Sequence, residues 1–162
     1  MDKLKQQILF DAYPKIFAQK DLDQSKTLMC YGICCGDGWF NIIDVLCQQL
    51  QAYVNEPLEN LERFERFYEQ AKQDQDTEAM KNWLSEIEKT KATLRPQIEA
   101  VQVKEKFGTL RFYINGYTDA TRSMISFAEK MSSRTCDSCG APADLSTTGR
   151  WKVQCEKCKG EI

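Results

Sequence analysis

Four cysteines near the end of the chain have the spacing of a metal site. Cys136 and Cys139 form one Cys-x-x-Cys hook, and Cys155 and Cys158 form a second after fifteen intervening residues. Such a hook is the shortest loop that sets two sulfurs on one metal with unstrained backbone, and two hooks complete the tetrahedral four-cysteine set of a zinc ribbon. Gly140 follows the first hook and Gly160 comes two residues after the second, where they let backbone amides turn toward the thiolates. Four cysteines fill every position of a tetrahedral ion, so the expected zinc is a structural staple with no open place for water or substrate. Two other chemistries use the same residues. A redox dithiol pair needs a thioredoxin-like βαβ setting, which the pattern lacks. An iron–sulfur centre also accepts four cysteines.

Beyond the hooks the chemistry thins out. The 162-residue chain has no histidine, which removes the commonest general base and the usual partner of a nucleophilic Ser or Cys. No spacing singles out a pair among Asp37, Asp44 and the acids of 56–99, so the chain reads as a non-enzyme. An enzyme would need a polar pocket around Asp37, Trp39 and Arg111. Cys30, Cys34, Cys35 and Cys47 match no metal hook. Core packing is expected for them, a second metal cluster being the alternative. Gly36-Asp37-Gly38-Trp39 opens a helix, with Asp37 as its N-cap; a carboxylate there would repel a phosphate.

Lys104, Lys106 and Arg111 interleave with Phe107, Phe112 and Tyr113. With Arg150, Trp151 and Lys152 of the cysteine segment they form a candidate contact set for nucleic acid or a partner. Against this, 22 basic and 24 acidic residues leave a net charge of −2, without the overall basic field of most nucleic-acid binders. The start of the chain has no apolar run of the signal-peptide kind, and no eighteen-residue apolar stretch occurs. A cytoplasmic setting with reduced thiols and no membrane partner is expected.

The elements that must position these residues follow from periodicity. A short helix with an apolar stripe at Leu4, Ile8 and Leu9 should end at Tyr13-Pro14. From Trp39 to about Val54, Trp39, Ile42, Ile43, Leu46, Leu50 and Tyr53 recur at helical steps and mark a central core helix. Two further helices, roughly 57–72 and 77–93, turn at Asp74-Gln75-Asp76 as an inserted helical hairpin (about 56–95), with Pro57 at a first helical position. Val101 and Val103, then Leu110, Phe112 and Ile114, alternate as a β-hairpin around a five-residue turn, Lys104 to Gly108. Thr118 caps a helix from about 119 to 132 whose inward face should be Met124, Phe127, Ala128 and Met131. A two-stranded ribbon, Ala143–Leu145 and Trp151–Gln154, joins the hooks around Thr147-Thr148-Gly149-Arg150. It is too small to fold alone, and the metal would contribute roughly 10–16 kcal/mol. The fold class is α+β: a core over 1–133 with the inserted hairpin, and a four-cysteine zinc-ribbon module over 134–162.

Three stretches together carry a resemblance. They are Cys35-Gly36-Asp37-Gly38-Trp39-Phe40 leading to Ile43-Asp44-Val45-Leu46-Cys47; Gln102-Val103-Lys104-Glu105-Lys106-Phe107-Gly108-Thr109-Leu110-Arg111-Phe112-Tyr113; and Arg134-Thr135-Cys136-Asp137-Ser138-Cys139-Gly140-Ala141-Pro142 with the returning Cys155 and Cys158. In this order the chain resembles a family of small bacteriophage and prophage proteins with no established activity. Tyr13-Pro14-Lys15-Ile16-Phe17 fits its beginning, whereas the acidic block at 56–95 departs from it. The resemblance implies a setting, the cytoplasm of an infected bacterium, rather than a chemistry. The expectation is a non-enzymatic accessory protein that binds a host protein, through the 56–95 arm or the ribbon around Arg150 and Trp151, and blocks a defence or regulatory factor. The alternative is a zinc-ribbon nucleic-acid-binding regulator.

Overall fold

Three strands make the main sheet in the order β1 (Ile33–Cys34), β2 (Ala100–Lys106) and β3 (Thr109–Ile114). In the computed structural model, which describes residues 1–146 and 151–160, β1 pairs parallel with β2 and β2 antiparallel with β3. The hairpin turn is tighter than the expected five residues. β2 runs on to Lys106, and only Phe107 and Gly108 turn, with φ of 53° and 76°. Positive φ at both positions matches the twist of the flanking strands. A bulge between Ala100 and Gln102 breaks strict alternation, so Ala100 is buried where Val101 is only half-buried.

The sheet has one apolar and one polar face. Val103, Leu110, Phe112 and Ile114 are buried. Phe17 meets Phe112 edge-on at 6.4 Å and packs against Phe10 at 5.0 Å. Helix α1 (Lys3–Ala12) is capped by Asp2, whose carboxylate accepts from Leu4 N at 2.9 Å. Of the expected stripe, Leu4 and Ile8 are exposed and Leu9 is buried. Leu9 and Phe10 are the residues α1 buries, because only its last turn reaches the Phe17 cluster.

The largest correction concerns helix α2. In place of separate helices at 39–54 and 57–72, one helix runs from Phe40 to Gln73, straight through Pro57. Proline has no N–H for the carbonyl four residues back, which is Tyr53. The Arg95 guanidinium donates to that carbonyl instead, stacks over the Tyr53 ring at 3.9 Å and pairs with Glu56 at 3.1 Å. A donor from 42 positions away in sequence thus stands in for the missing amide. The inward positions Ile43, Leu46, Cys47 and Leu50 are buried as their spacing requires.

After a turn with Gln75 at φ 56°, Asp76 caps helix α3 (Thr77–Lys91) by accepting from Ala79 N at 2.9 Å. Trp83 of α3 stacks on Phe64 at 5.7 Å and tilts on Phe67 at 4.9 Å. Residues Gln51–Gln97 form one compact unit. Met1–Leu50 and Ile98–Ile162 form the other, the cysteine segment included.

Helix α4 (Asp119–Ser132) begins with a capping box in which Thr118 and Thr121 bond each other's backbone N–H. Its buried face is Thr121, Ile125, Ala128 and Ser132. The expected face is rotated: Ala128 is inward, but Phe127 is 68% and Met131 42% exposed. The reason lies along β3. Ser132 Oγ accepts from Leu110 N at 2.9 Å, Glu129 Oε1 from Phe112 N at 3.3 Å and Tyr117 Oη from Ile114 N at 3.2 Å. Three alternate amides of the sheet edge are closed by side chains of α4 and its approach, and this fixes which side of α4 turns inward.

Candidate metal centre and the loop that seats it

Two pieces of local structure present the four cysteines. The first hook follows α4 directly. The second follows a short ribbon, β4 (Leu145–Ser146) paired antiparallel with β5 (Lys152–Val153), and opens the one-turn helix α5 (Glu156–Lys159). The ligand atoms of Cys136, Cys139, Cys155 and Cys158 all lie within 4.8 Å of one another. Cys139 Sγ and Cys155 Sγ are 3.6 Å apart. Tetrahedral zinc with Zn–S bonds of ~2.3 Å would set sulfurs about 3.8 Å apart, so the cluster has the dimensions of a four-thiolate ion site. All eight cysteines are free of disulfides.

The thiols are electrically uneven. Burial pushes the Cys136 thiol up, but hydrogen bonds from the backbone of Cys155, Cys139 and Ser138 outweigh it and bring the group down to about 6. Cys158, hydrogen-bonded to the sulfurs of Cys139 and Cys155, is pushed up to about 12. A cluster that favours one thiolate and crowds the others is one that a divalent cation would relieve.

The hook does not stand by itself. Gly36 N–H donates to Asp137 Oδ1 at 2.6 Å, and Gly38 N–H to the Asp137 carbonyl at 2.8 Å. The Trp39 indole Nε1 donates to the Thr135 carbonyl at 2.8 Å, with its ring fully buried. A Cβ on Gly36 would lie 2.1 Å from Asp137 O, and one on Gly38 would lie 2.0 Å from Cys136 O. The Gly36–Trp39 loop is therefore the seat of the first hook, and its glycines leave room for the hook's backbone. This overturns the capping role expected of Asp37. Residues Asp37–Trp39 form a 3-10 turn without a side-chain cap. The Asp37 carboxylate instead accepts from Asp2 N at 2.6 Å and pairs with Lys5 at 3.3 Å, which together hold it below its ordinary value.

The other residues singled out by the sequence are scattered. Cys35 and Cys47 are buried and Cys30 is half-buried, but Cys34 is exposed at the sheet edge, which corrects core packing for that residue. Burial pushes the Cys35 thiol up to about 12, with Asp137 adding to it. Lys104, Lys106 and Arg111 share the polar face of the sheet by strand register. Arg111 is engaged with Thr109 Oγ1 at 2.7 Å and Glu129 at 3.8 Å. Lys152 lies instead at a cavity of about 320 Å³ beside Cys34, Glu105 and Asp137. Trp151 is half-exposed, and Arg150 with the rest of 147–150 lies outside the described residues. Asp37, Trp39 and Arg111 are each committed to separate partners.

Sequence reasoning missed a groove between α2 and α4. Ile42, Val45, Leu46, Met124, Phe127 and Met131 line about 500 Å³ of almost wholly apolar space, with Asn41 and Gln49 also among its lining residues. Its signal in the sequence is the surplus of apolar positions on α4, more than one buried face accommodates. Among the described residues no helix is long and apolar enough to cross a membrane. Comparison with protein-family models, curated proteins and solved structures finds no match to this chain.

Proposed function

We propose that this is a non-enzymatic binding protein, stapled by a structural zinc ion at Cys136, Cys139, Cys155 and Cys158, that recognises a host protein inside a bacterium infected by a phage. The observation that carries the reading is the α2–α4 groove. Val45 is 55% exposed and Phe127 68% exposed on facing helices, and large apolar side chains are left together at a surface when something covers them. Two helical turns on each wall and an almost wholly apolar lining fit the apolar face of an amphipathic helix laid along the groove. The host-protein setting rests on the sequence resemblance. Zinc is the reading for the metal because four cysteine sulfurs within 4.8 Å of one another suit it, and a four-cysteine site leaves no coordination position for substrate.

The test is affinity capture from host lysate with the wild-type protein and with Val45→Glu and Phe127→Glu. Both substitutions fall at exposed positions and should leave the melting temperature unchanged. A protein retained by the wild type at several salt concentrations and lost from both variants is the expected result. Equal capture by all three, or none by folded wild-type protein, contradicts the reading.

A further inference from the structure

A second surface has different chemistry. On the polar face of the main sheet stand Gln102, Lys104, Lys106, Thr109, Arg111 and Tyr113. None is acidic. Glu105, the one carboxylate of β2 and β3, pairs with Leu110 on the opposite face and accepts from Gly108 N at 2.5 Å. Glu129 takes up part of the Arg111 charge, which leaves Lys104 and Lys106 as the available cations among the described residues of this face. Lys104 Nζ lies over the Tyr113 ring at 5.9 Å, and Lys106 Nζ over Phe107 at 5.3 Å. At the hairpin tip Phe107 is 62% exposed and meets Trp151, 46% exposed, edge-on at 5.9 Å.

Phe107 is the informative residue. Its φ of 53° belongs to the left-handed region, where a bulky side chain is disfavoured and Asn or Gly is the natural choice for this turn. The exposed ring recovers little by burial. An aromatic side chain held where turn chemistry opposes it, beside a second exposed aromatic and two lysines, points to a ligand.

We propose that this face binds single-stranded nucleic acid. Unpaired bases stack on Phe107, Trp151 and Tyr113, and phosphates lie against Lys104 and Lys106. Single strands are favoured over duplex because a stacking surface needs unstacked bases, which a duplex does not offer. This site goes beyond the α2–α4 reading and stands or falls separately from it.

The experiment uses the full metal-containing chain and fluorescence anisotropy of a labelled oligothymidylate of about 15 nucleotides, with a matched duplex alongside. The wild type should bind the single strand and prefer it to duplex, losing about tenfold in affinity between about 50 and 200 mM salt. Phe107→Asn should keep or raise the melting temperature while weakening binding roughly tenfold or more. Lys104→Gln should flatten the salt dependence by about 0.7 in logarithmic slope. Affinity unchanged in Phe107→Asn, equal binding of duplex, or no binding by the folded protein at about 20 mM salt overturns the proposal. So does capture of a protein ligand that depends on Phe107 when no oligonucleotide binds.

Discussion

Gly38 tests the link between metal and core at the scale of one residue. A methyl group there would sit 2.0 Å from the Cys136 carbonyl oxygen and 2.4 Å from Gly140 N, so Gly38→Ala must push the first hook off its seat. We expect metal affinity to fall ten- to a hundredfold, as for other groups that orient ligands from outside the coordination sphere. A competitive chelator titration reads this directly, and unchanged affinity would show that hook and loop are independent. Tyr13 offers a second test. Its hydroxyl donates to Asp44 Oδ1 at 2.7 Å. Burial, then that bond, raises the phenol from its ordinary 10.0 to about 12. The folded state therefore favours the neutral phenol. That contribution is fully present below about pH 10 and is lost as pH rises toward about 12. Tyr13→Phe should cost about 1 kcal/mol at neutral pH, and the gap from wild type should close across that alkaline window in denaturant titrations. A gap constant through the window would contradict this. The cysteine cluster was legible because its ligands pair two by two within four residues. The role of Gly36 and Gly38 was not, since their partner Asp137 lies 101 positions from Gly36, and no local pattern records so distant a contact.

At the scale of elements, α2 and β3 show where periodicity stops short. Pro57 signalled a helix start by every local rule, yet the helix passes through it because Arg95 supplies the missing donor. Pro57→Ala restores the amide and removes ring strain, so it should raise the stability of the Gln51–Gln97 unit by about 1–3 kcal/mol. Equal or lower stability in thermal unfolding would contradict that account. The strands of the hairpin were legible from alternation, but the register of α4 depends on which of its polar side chains can serve β3. Ser132 is wholly buried and accepts from Leu110 N. Ser132→Ala leaves that amide without its acceptor at a cost of about 1–3 kcal/mol, visible as faster hydrogen exchange at Leu110. Exchange as slow as in the wild type would mean that another group closes the edge. The exposed Phe127 and Met131 follow from the same constraint: once α4 turns Ser132 and Glu129 to the strand, its larger apolar residues face the groove.

At the scale of the whole molecule, the four-cysteine cluster and the sheet belong to one compact unit, joined through the Gly36–Trp39 loop. A single ion closing the four-cysteine cluster would in turn fix the loop leading into α2. Metal content measured by elemental analysis and native mass spectrometry, with hydrogen exchange over residues 33–40 and 134–160, tests this most directly. The prediction is about one zinc per chain, lost in Cys139→Ser, with protection falling in both segments together. Protein without metal that protects both segments as well as the metal-loaded form would contradict it.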